Sequence, residues 1–350
     1  MMTSGENLRR TVFFEDPEWI PMEFHINPAC WHHYPPGFLQ ELMADHPFLF
    51  PDFSSKEKIN PQFSPVQRKD EPYTDPWGCV WETTDNGITG TVTKHPLADW
   101  KAFDSFLPPD LEKSDGCCPV NWQEEEERLH SAKEKGEMPR AELRHGHTFL
   151  QVCDIRGYEN VIIDMADGEP LFSKLLKMIE EFNCSVVDRW ISLGAEMLGF
   201  PEDLGMQFGP MLSPDHFDKY IKPMYTRMVA KAKKAGCIIH MHSDGDIRTL
   251  MKSLKECGMD VFNLQDLVNS VDWIAENLGG SVCVDLDIDR QSITPYGTPK
   301  EIDALIREEV KKIGSSKGGL MMIYGLYPGV PLENAKAVMD AMETYAGFFH

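Results

Sequence analysis

Cys237-Ile-Ile-His-Met-His242, running on into Ser243-Asp-Gly245, opens a series of four mostly apolar stretches, followed by Asp260-Val-Phe-Asn-Leu-Gln265, Ser281-Val-Cys-Val-Asp-Leu-Asp287 and Gly319-Leu-Met-Met-Ile-Tyr324. Each is short and apolar through its centre and ends in a polar side chain, the pattern of a strand buried on both faces. Segments with helical periodicity separate and follow them, over 247–257, 271–278, 300–313 and 332–345. Strands alternating with helices at this spacing predict parallel βαβ units. No Gly-rich phosphate-binding turn follows any of these strands, which favours a (β/α)8 TIM-type barrel over an open doubly wound sheet.

Upstream, residues 147–153 read as a strand, and 171–181 and 186–197 as helices. Gly199-Phe-Pro201 reads as the break after them, and 204–208 as a short strand or strand end. Ser213-Pro-Asp215 carries a helix start, with Ser213 as N-cap and Pro214 in the first turn. The first barrel strand is expected within Trp19-Ile-Pro-Met-Glu-Phe-His25, where Glu23 and His25 have the same parity and share a face. The stretch from Trp77 to Val92 is β-rich and reads as an N-terminal β-hairpin insertion turning at Asn86-Gly87. Glu124-Glu-Glu-Glu-Arg128 reads as a solvated helix. Residues 1–350 are thus expected to form a single barrel domain, with an insertion-rich region over about 65–145.

An apolar fraction of 42% in 350 residues is enough for a large core. The formal charge of -22, from 56 acidic and 34 basic residues, argues against nucleic acid and anionic membrane surfaces, which need clustered Lys and Arg. Nine cysteines lie at positions 30, 79, 117, 118, 153, 184, 237, 257 and 283. Their odd number, the adjacent Cys117 and Cys118, and the lack of any C-x-x-C point away from a disulfide framework and towards a reducing compartment. The first ten residues carry no apolar signal region, and no apolar run nears the ~18 residues of a membrane span, so a cytoplasmic protein is expected.

In barrels of this type the catalytic groups project from the C-terminal ends of the strands. The sharpest local pattern is His240-Met-His-Ser-Asp244. Alternation along an extended chain puts His240, His242 and Asp244 on one face, a donor set suited to a divalent metal such as Zn2+. The same residues also fit a hydrogen-bonded core histidine with a helix-capping aspartate, or a pair of imidazoles that binds a substrate carboxylate or hydroxyl. Phe200-Pro-Glu-Asp-Leu-Gly-Met-Gln207 offers Asp203 as general acid/base or ligand and Gln207 to orient substrate, against an ordinary acidic loop. Glu23 and Tyr324 are further catalytic candidates at strand ends. His25, Trp31, Gln265 and Asp285 are candidates for substrate binding, Asp285 being equally readable as a salt-bridge partner.

With these residues in place, the chain resembles the uroporphyrinogen decarboxylase superfamily, and more specifically its corrinoid-dependent methyltransferase branch. The resemblance runs from about residue 20 to 341. It rests on Asp75-Pro-Trp-Gly78, Asn86-Gly-Ile-Thr-Gly90, Leu143-Arg-His-Gly146, Arg156-Gly-Tyr-Glu-Asn160, Glu202-Asp-Leu-Gly-Met-Gln207, Leu212-Ser-Pro214, His242-Ser-Asp-Gly245 and Pro331-Leu-Glu-Asn334. True uroporphyrinogen decarboxylases carry an N-terminal Arg-Gln-Ala-Gly-Arg segment, and nothing like it follows Pro21. Thiol methyltransferases hold zinc through a His-x-Cys and a later Cys, and the matching positions here are His242, Asp244 and Tyr324.

The harder N/O donor set suits an ether oxygen better than a thiol. The resemblance therefore implies transfer of a methyl group from a methoxylated, aromatic substrate to the cobalt of a separate corrinoid protein, with a divalent metal, Zn2+, at His240, His242 and Asp244. The partners implied are a small methylated substrate and that corrinoid protein. The alternatives left open are a decarboxylase or lyase acting on a small acid without metal, and a tetrapyrrole-binding module.

Overall fold

The computed structural model describes residues 2–54 and 59–349. The chain is an α/β fold of the TIM type. Its parallel strands are β1 (Met22–Ile26), β2 (Arg140–Glu142), β3 (Met197–Asp203), β4 (Ile238–Asp244), β5 (Val261–Gln265), β6 (Cys283–Asp287) and β7 (Leu320–Leu326). Two compact units divide the chain, one holding residues 1–69, 84–89 and 263–350, the other residues 70–83 and 90–262.

In the first unit the strand order is β1-β7-β6-β5. Met22 to Ile26 lie in register with Met322 to Leu326, and Val284 to Asp287 with Leu320 to Ile323. All five residues of β6 are buried, the two aspartates Asp285 and Asp287 as well as Cys283, Val284 and Leu286. Helix α4 (Pro299–Ile313) begins at a capping box between Thr298 and Glu301 and buries Ile302, Ile306, Val310 and Ile313 on one stripe. Each such side chain contributes about 1.5–3 kcal/mol of gross burial free energy. Helix α5 (Leu332–Ala346) follows Pro331 and buries Ala335, Val338, Met339 and Met342.

In the second unit β4 lies beside β3 and β3 beside β2. Met197 to Asp203 pair with Ile238 to Asp244, and Arg140 to Glu142 with Met197 to Gly199. The amide of Asp260 donates to Ile239 O at 2.9 Å. A separate antiparallel sheet joins Tyr73–Thr74, Val80–Glu82 and Thr91–Lys94. The residues between its last two strands, Asn86 and Gly87 among them, form a longer connection than a two-residue turn, and 84–89 group with the first unit.

The strand ends near 240–244, 261–265, 283–287 and 320–326 fall close to their expected places, and Ser213 caps the short helix α3 (Pro214–His216) by accepting the His216 amide at 3.2 Å. Three expectations upstream are corrected. Residues 147–153 are not a strand, because helix α1 (Phe149–Arg156) starts there. The two helices expected over 171–181 and 186–197 are one helix, α2 (Pro170–Ser192). Gly199-Phe-Pro201 is not a break but the middle of β3. Pro201 is tolerated because its carbonyl accepts the Gly146 amide at 2.9 Å on the side where β2 has already ended, so its missing N–H costs no ladder bond. Among the described residues no helix is long and apolar enough to cross a membrane, and all nine cysteines are free.

Candidate metal centre

Two consecutive carboxylates at the end of β3 face opposite ways, as alternation along a strand demands. Glu202 is fully buried. Its Oε2 accepts the amides of Thr148 at 3.0 Å and Phe149 at 2.9 Å and the Tyr225 hydroxyl at 2.9 Å, while Oε1 accepts the Leu150 amide at 3.0 Å. Burial pushes this carboxyl up, against the pull of its four donors. The first amides of α1, which no intrahelical carbonyl can serve, thus end on one side chain. This cap holds the start of the helix over 149–156.

Asp203 faces the other way. Its Oδ2 lies 3.0 Å from His145 Nε2, its Oδ1 lies 3.7 Å from His242 Nε2, and Oδ1 accepts the Asp244 amide at 3.2 Å. Burial acts to raise the Asp203 carboxyl, but the hydrogen bond and charge of His145, with His242 beside them, hold it below the usual range. The reciprocal effect raises His145: burial works against its charged form, and Asp203 outweighs it. The two rings stand 5.4 Å apart between centroids at 63°. One ligand atom from each of His145, Asp203 and His242 lies within 4.8 Å of the other two.

His145 is set by its neighbours. Arg144, buried beneath it, donates to His145 O at 2.8 Å, Gln151 Oε1 at 2.6 Å and Asp154 Oδ2 at 2.8 Å. His147 is also buried and its Nδ1 meets Thr148 Oγ1 at 2.6 Å; burial pushes its ring down to about 3, so it is a neutral packing group. The loops after β3 and β4 are fastened to one another. Gly245 has φ +80°, and a Cβ on it would sit 2.2 Å from Gly205 C, so only glycine allows the two backbones to cross there. The Asp246 amide then donates to Met206 O at 2.8 Å.

Of the metal ligands expected from sequence, His242 lies in the cluster. His240, opposite Gly199, does not, and Asp244 reaches it through its backbone amide, with Oδ1 3.8 Å from His242 Nε2. The reason is spacing: at about 3.3 Å per residue, positions 240 and 244 are about 13 Å apart along the strand, too far for one ion. The group that does converge draws on neighbouring strand ends, with Asp203 in register with Asp244 and so beside His242. His145 was missed because β2 was not read, so the histidine three residues beyond it had no strand end to belong to. Gln207 is exposed on the turn between Gly205–Met206 and Gly209–Pro210.

The remaining candidates lie in the first unit. Glu23 Oε2 and His25 Nε2 form a 3.5 Å pair on β1. Trp31 lies in the short helix Cys30–His33, Gln265 ends β5, and Asp285 is buried on β6. Tyr324 is buried with its hydroxyl donated to Thr294 Oγ1 at 3.0 Å, and burial pushes the phenol up.

The sequence pattern of a family described as Uroporphyrinogen decarboxylase (URO-D) matches residues 148–345. The chain belongs to the uroporphyrinogen decarboxylase family. The matched span holds Asp203 and His242 and begins just after His145. Among members of the family, a uroporphyrinogen decarboxylase of Prochlorococcus marinus (strain NATL1A) is 28% identical over 184 residues, 52% of this chain and 50% of that protein. One from Geobacter sulfurreducens is 22% identical over 192 residues, 53% of each chain. The chain spans about half the length of the curated relatives it matches. A solved structure described as a methyltransferase from Methanosarcina mazei superposes with a TM-score of 0.65 at 17% identity, covering 99% of both chains, and so shares the fold.

The residues fit a small divalent cation. Two metal–ligand bonds of about 2.1 Å at a tetrahedral ion put their donor atoms about 3.4 Å apart. The Asp203 contacts, Oδ2 to His145 at 3.0 Å and Oδ1 to His242 at 3.7 Å, lie on either side of that value, and one atom from each of the three residues falls within 4.8 Å of the others.

Proposed function

We propose that this chain is a corrinoid-dependent methyltransferase that takes the methyl group from a methoxylated aromatic substrate and passes it to the cobalt of a separate corrinoid protein. The observation that carries the reading is the His145–Asp203–His242 cluster, two imidazoles and a carboxylate at adjacent strand ends in a chain of this family. His145, Asp203 and His242 would hold a divalent cation, Zn2+ by donor type, leaving a position for a ligand oxygen. Bound there, the cation supplies Lewis-acid stabilisation of the phenolate oxygen that leaves as the methyl group departs, worth several kcal/mol.

The chain's own residues do the positioning. Asp203 orients both imidazoles, Glu202 fixes the loop that carries His145, and the Gly205–Gly245 crossing sets the distance between the strand ends. The free cysteines are in keeping with a cytoplasmic setting.

A second reading has its own support. Asp203 favours the protonated form of His145, and an imidazolium can hold a substrate carboxylate, as a metal-free decarboxylase of a small acid would need. The names of the family members above point the same way.

Metal analysis separates the two readings. The methyltransferase reading expects one tightly held equivalent, weakened at least ~100-fold in His145→Ala, Asp203→Ala and His242→Ala and kept in His240→Ala. A panel of methoxylated aromatics with a Co(I) corrinoid acceptor then tests the substrate class. Failure of every donor in metal-loaded protein overturns that class, and decarboxylation by metal-free protein favours the second reading.

A further inference from the structure

Cys117 and Cys118 are neighbours in sequence, and their sulfurs lie 3.8 Å apart with the Cys118 thiol directed at Cys117 Sγ. Adjacent residues of an extended chain point to opposite faces, so two sulfurs on one side require a built turn.

The turn is present and held at each step. Asp115 Oδ1 accepts the amides of both cysteines at 2.8 Å. Ser114 Oγ accepts the Gly116 amide at 3.0 Å and donates to Cys118 O at 2.9 Å, and Tyr73 donates to Cys117 O at 3.1 Å. Gly116 itself has φ +104°, and a Cβ there would stand 2.8 Å from the Phe182 ring. The spacing of the sulfurs is therefore imposed by the fold before any ligand arrives.

We infer that Cys117 and Cys118 form a second cation site, a bidentate dithiolate that takes a soft d10 metal ion such as Cd2+ or Zn2+. Two metal–sulfur bonds of about 2.3 Å at a tetrahedral angle separate the sulfurs by about 3.8 Å, and the pair already stands at 3.8 Å. Binding breaks two S–H bonds, forms two metal–sulfur bonds and releases two protons to solvent, with no change of oxidation state. The remaining positions on the ion go to water or to a small thiol. The contact with Cys118 and burial push the Cys117 thiol up, with the buried Arg144 guanidinium opposing them. Cys117 is accordingly held as the thiol, and a thiophilic cation must displace its proton to bind. This site shares no ligand with His145, Asp203 and His242 and does not depend on the proposed methyl transfer.

The test is a Cd2+ titration of the whole chain, reduced with a phosphine and freed of metal, followed by the ultraviolet sulfur-to-cadmium charge-transfer absorption that imidazole and carboxylate ligands cannot give. The band is expected in the wild-type protein and in His242→Ala, and lost in Cys117→Ser and in Cys118→Ser. A wild-type protein without the band, or one whose band survives both serine substitutions, overturns the inference. Phenylarsine oxide gives a reading without any mutation. It condenses with two thiols, forming two As–S bonds and releasing one water, so prior treatment is expected to add one arsenical by mass and to abolish the band. No adduct, or an adduct that leaves the band intact, counts equally against the site.

Discussion

Removing the Glu202 carboxylate is expected to be among the most damaging single changes in the second unit. In Glu202→Ala, the amides of Thr148, Phe149 and Leu150 and the Tyr225 hydroxyl lose their acceptor together. A buried donor stripped of its partner costs about 1–3 kcal/mol, and four that share one acceptor, not being additive, cost about 4–6 kcal/mol in all. That is of the order of a typical domain's whole stability, about 5–15 kcal/mol. Glu202→Gln separates cap chemistry from packing. With its carbonyl at the Oε2 position it keeps Thr148, Phe149 and Tyr225, while its amide meets the Leu150 N–H donor to donor, for a cost of about 2 kcal/mol.

Parallel urea melts of the three proteins, followed by circular dichroism, read the order wild type, Gln, Ala. An alanine variant that loses less than about 1 kcal/mol, or one indistinguishable from the glutamine variant, refutes the claim that this carboxylate caps α1.

Two further outcomes follow from other sites. Gly245→Ala, which puts a Cβ 2.2 Å from Gly205 C at φ +80°, is expected to cost at least ~2 kcal/mol in thermal or urea melts and to weaken cation binding at the Asp203 cluster, since the two strand ends must part. A melt that matches wild type would show that the crossing yields freely. In the first unit, Glu309 is buried, and burial together with the charge of Asp266 raises its carboxyl well above 4.5. The folded chain therefore holds this proton where the unfolded chain has lost it, and the stabilisation is complete below pH 4.5 and lost as pH rises through the raised value. Melting temperatures of wild type and Glu309→Gln should coincide in acid and separate upward with pH, the glutamine variant becoming the more stable; parallel curves would contradict the assignment.

The barrel's later half was legible because its strands are short, mostly apolar runs that end in polar residues, a signal local to each segment. The first part of the second unit was not, because what decides it is distant in sequence. Residues 147–153 are apolar enough for a strand, yet a helix starts at Phe149, its first amides served by the distant Glu202. Gly199 and Pro201 look like breakers and are accommodated because β2, only Arg140–Glu142, ends before Pro201 needs a partner on that side. The candidate site was half visible for the same reason. A parity argument finds residues on one face of one strand, which singled out His242, a member of the cluster, together with His240, which lies outside it. It cannot say which residues neighbouring strands bring alongside: Asp203 stood out only as an acid at a strand end, not as a neighbour of His242, and His145 did not stand out at all.

The opposed pair Glu202 and Asp203 also limits how this chain can change over time. Because neighbouring positions in β3 serve different sides, deleting or inserting a single residue between Met197 and Pro201 would turn the shorter carboxylate towards the helix start and the longer one towards the imidazoles. Architecture and chemistry would then fail in the same event. Length variation should accordingly collect in the turn beyond Gly205, where Phe208 stands 95% exposed, and be purged from the strand before it.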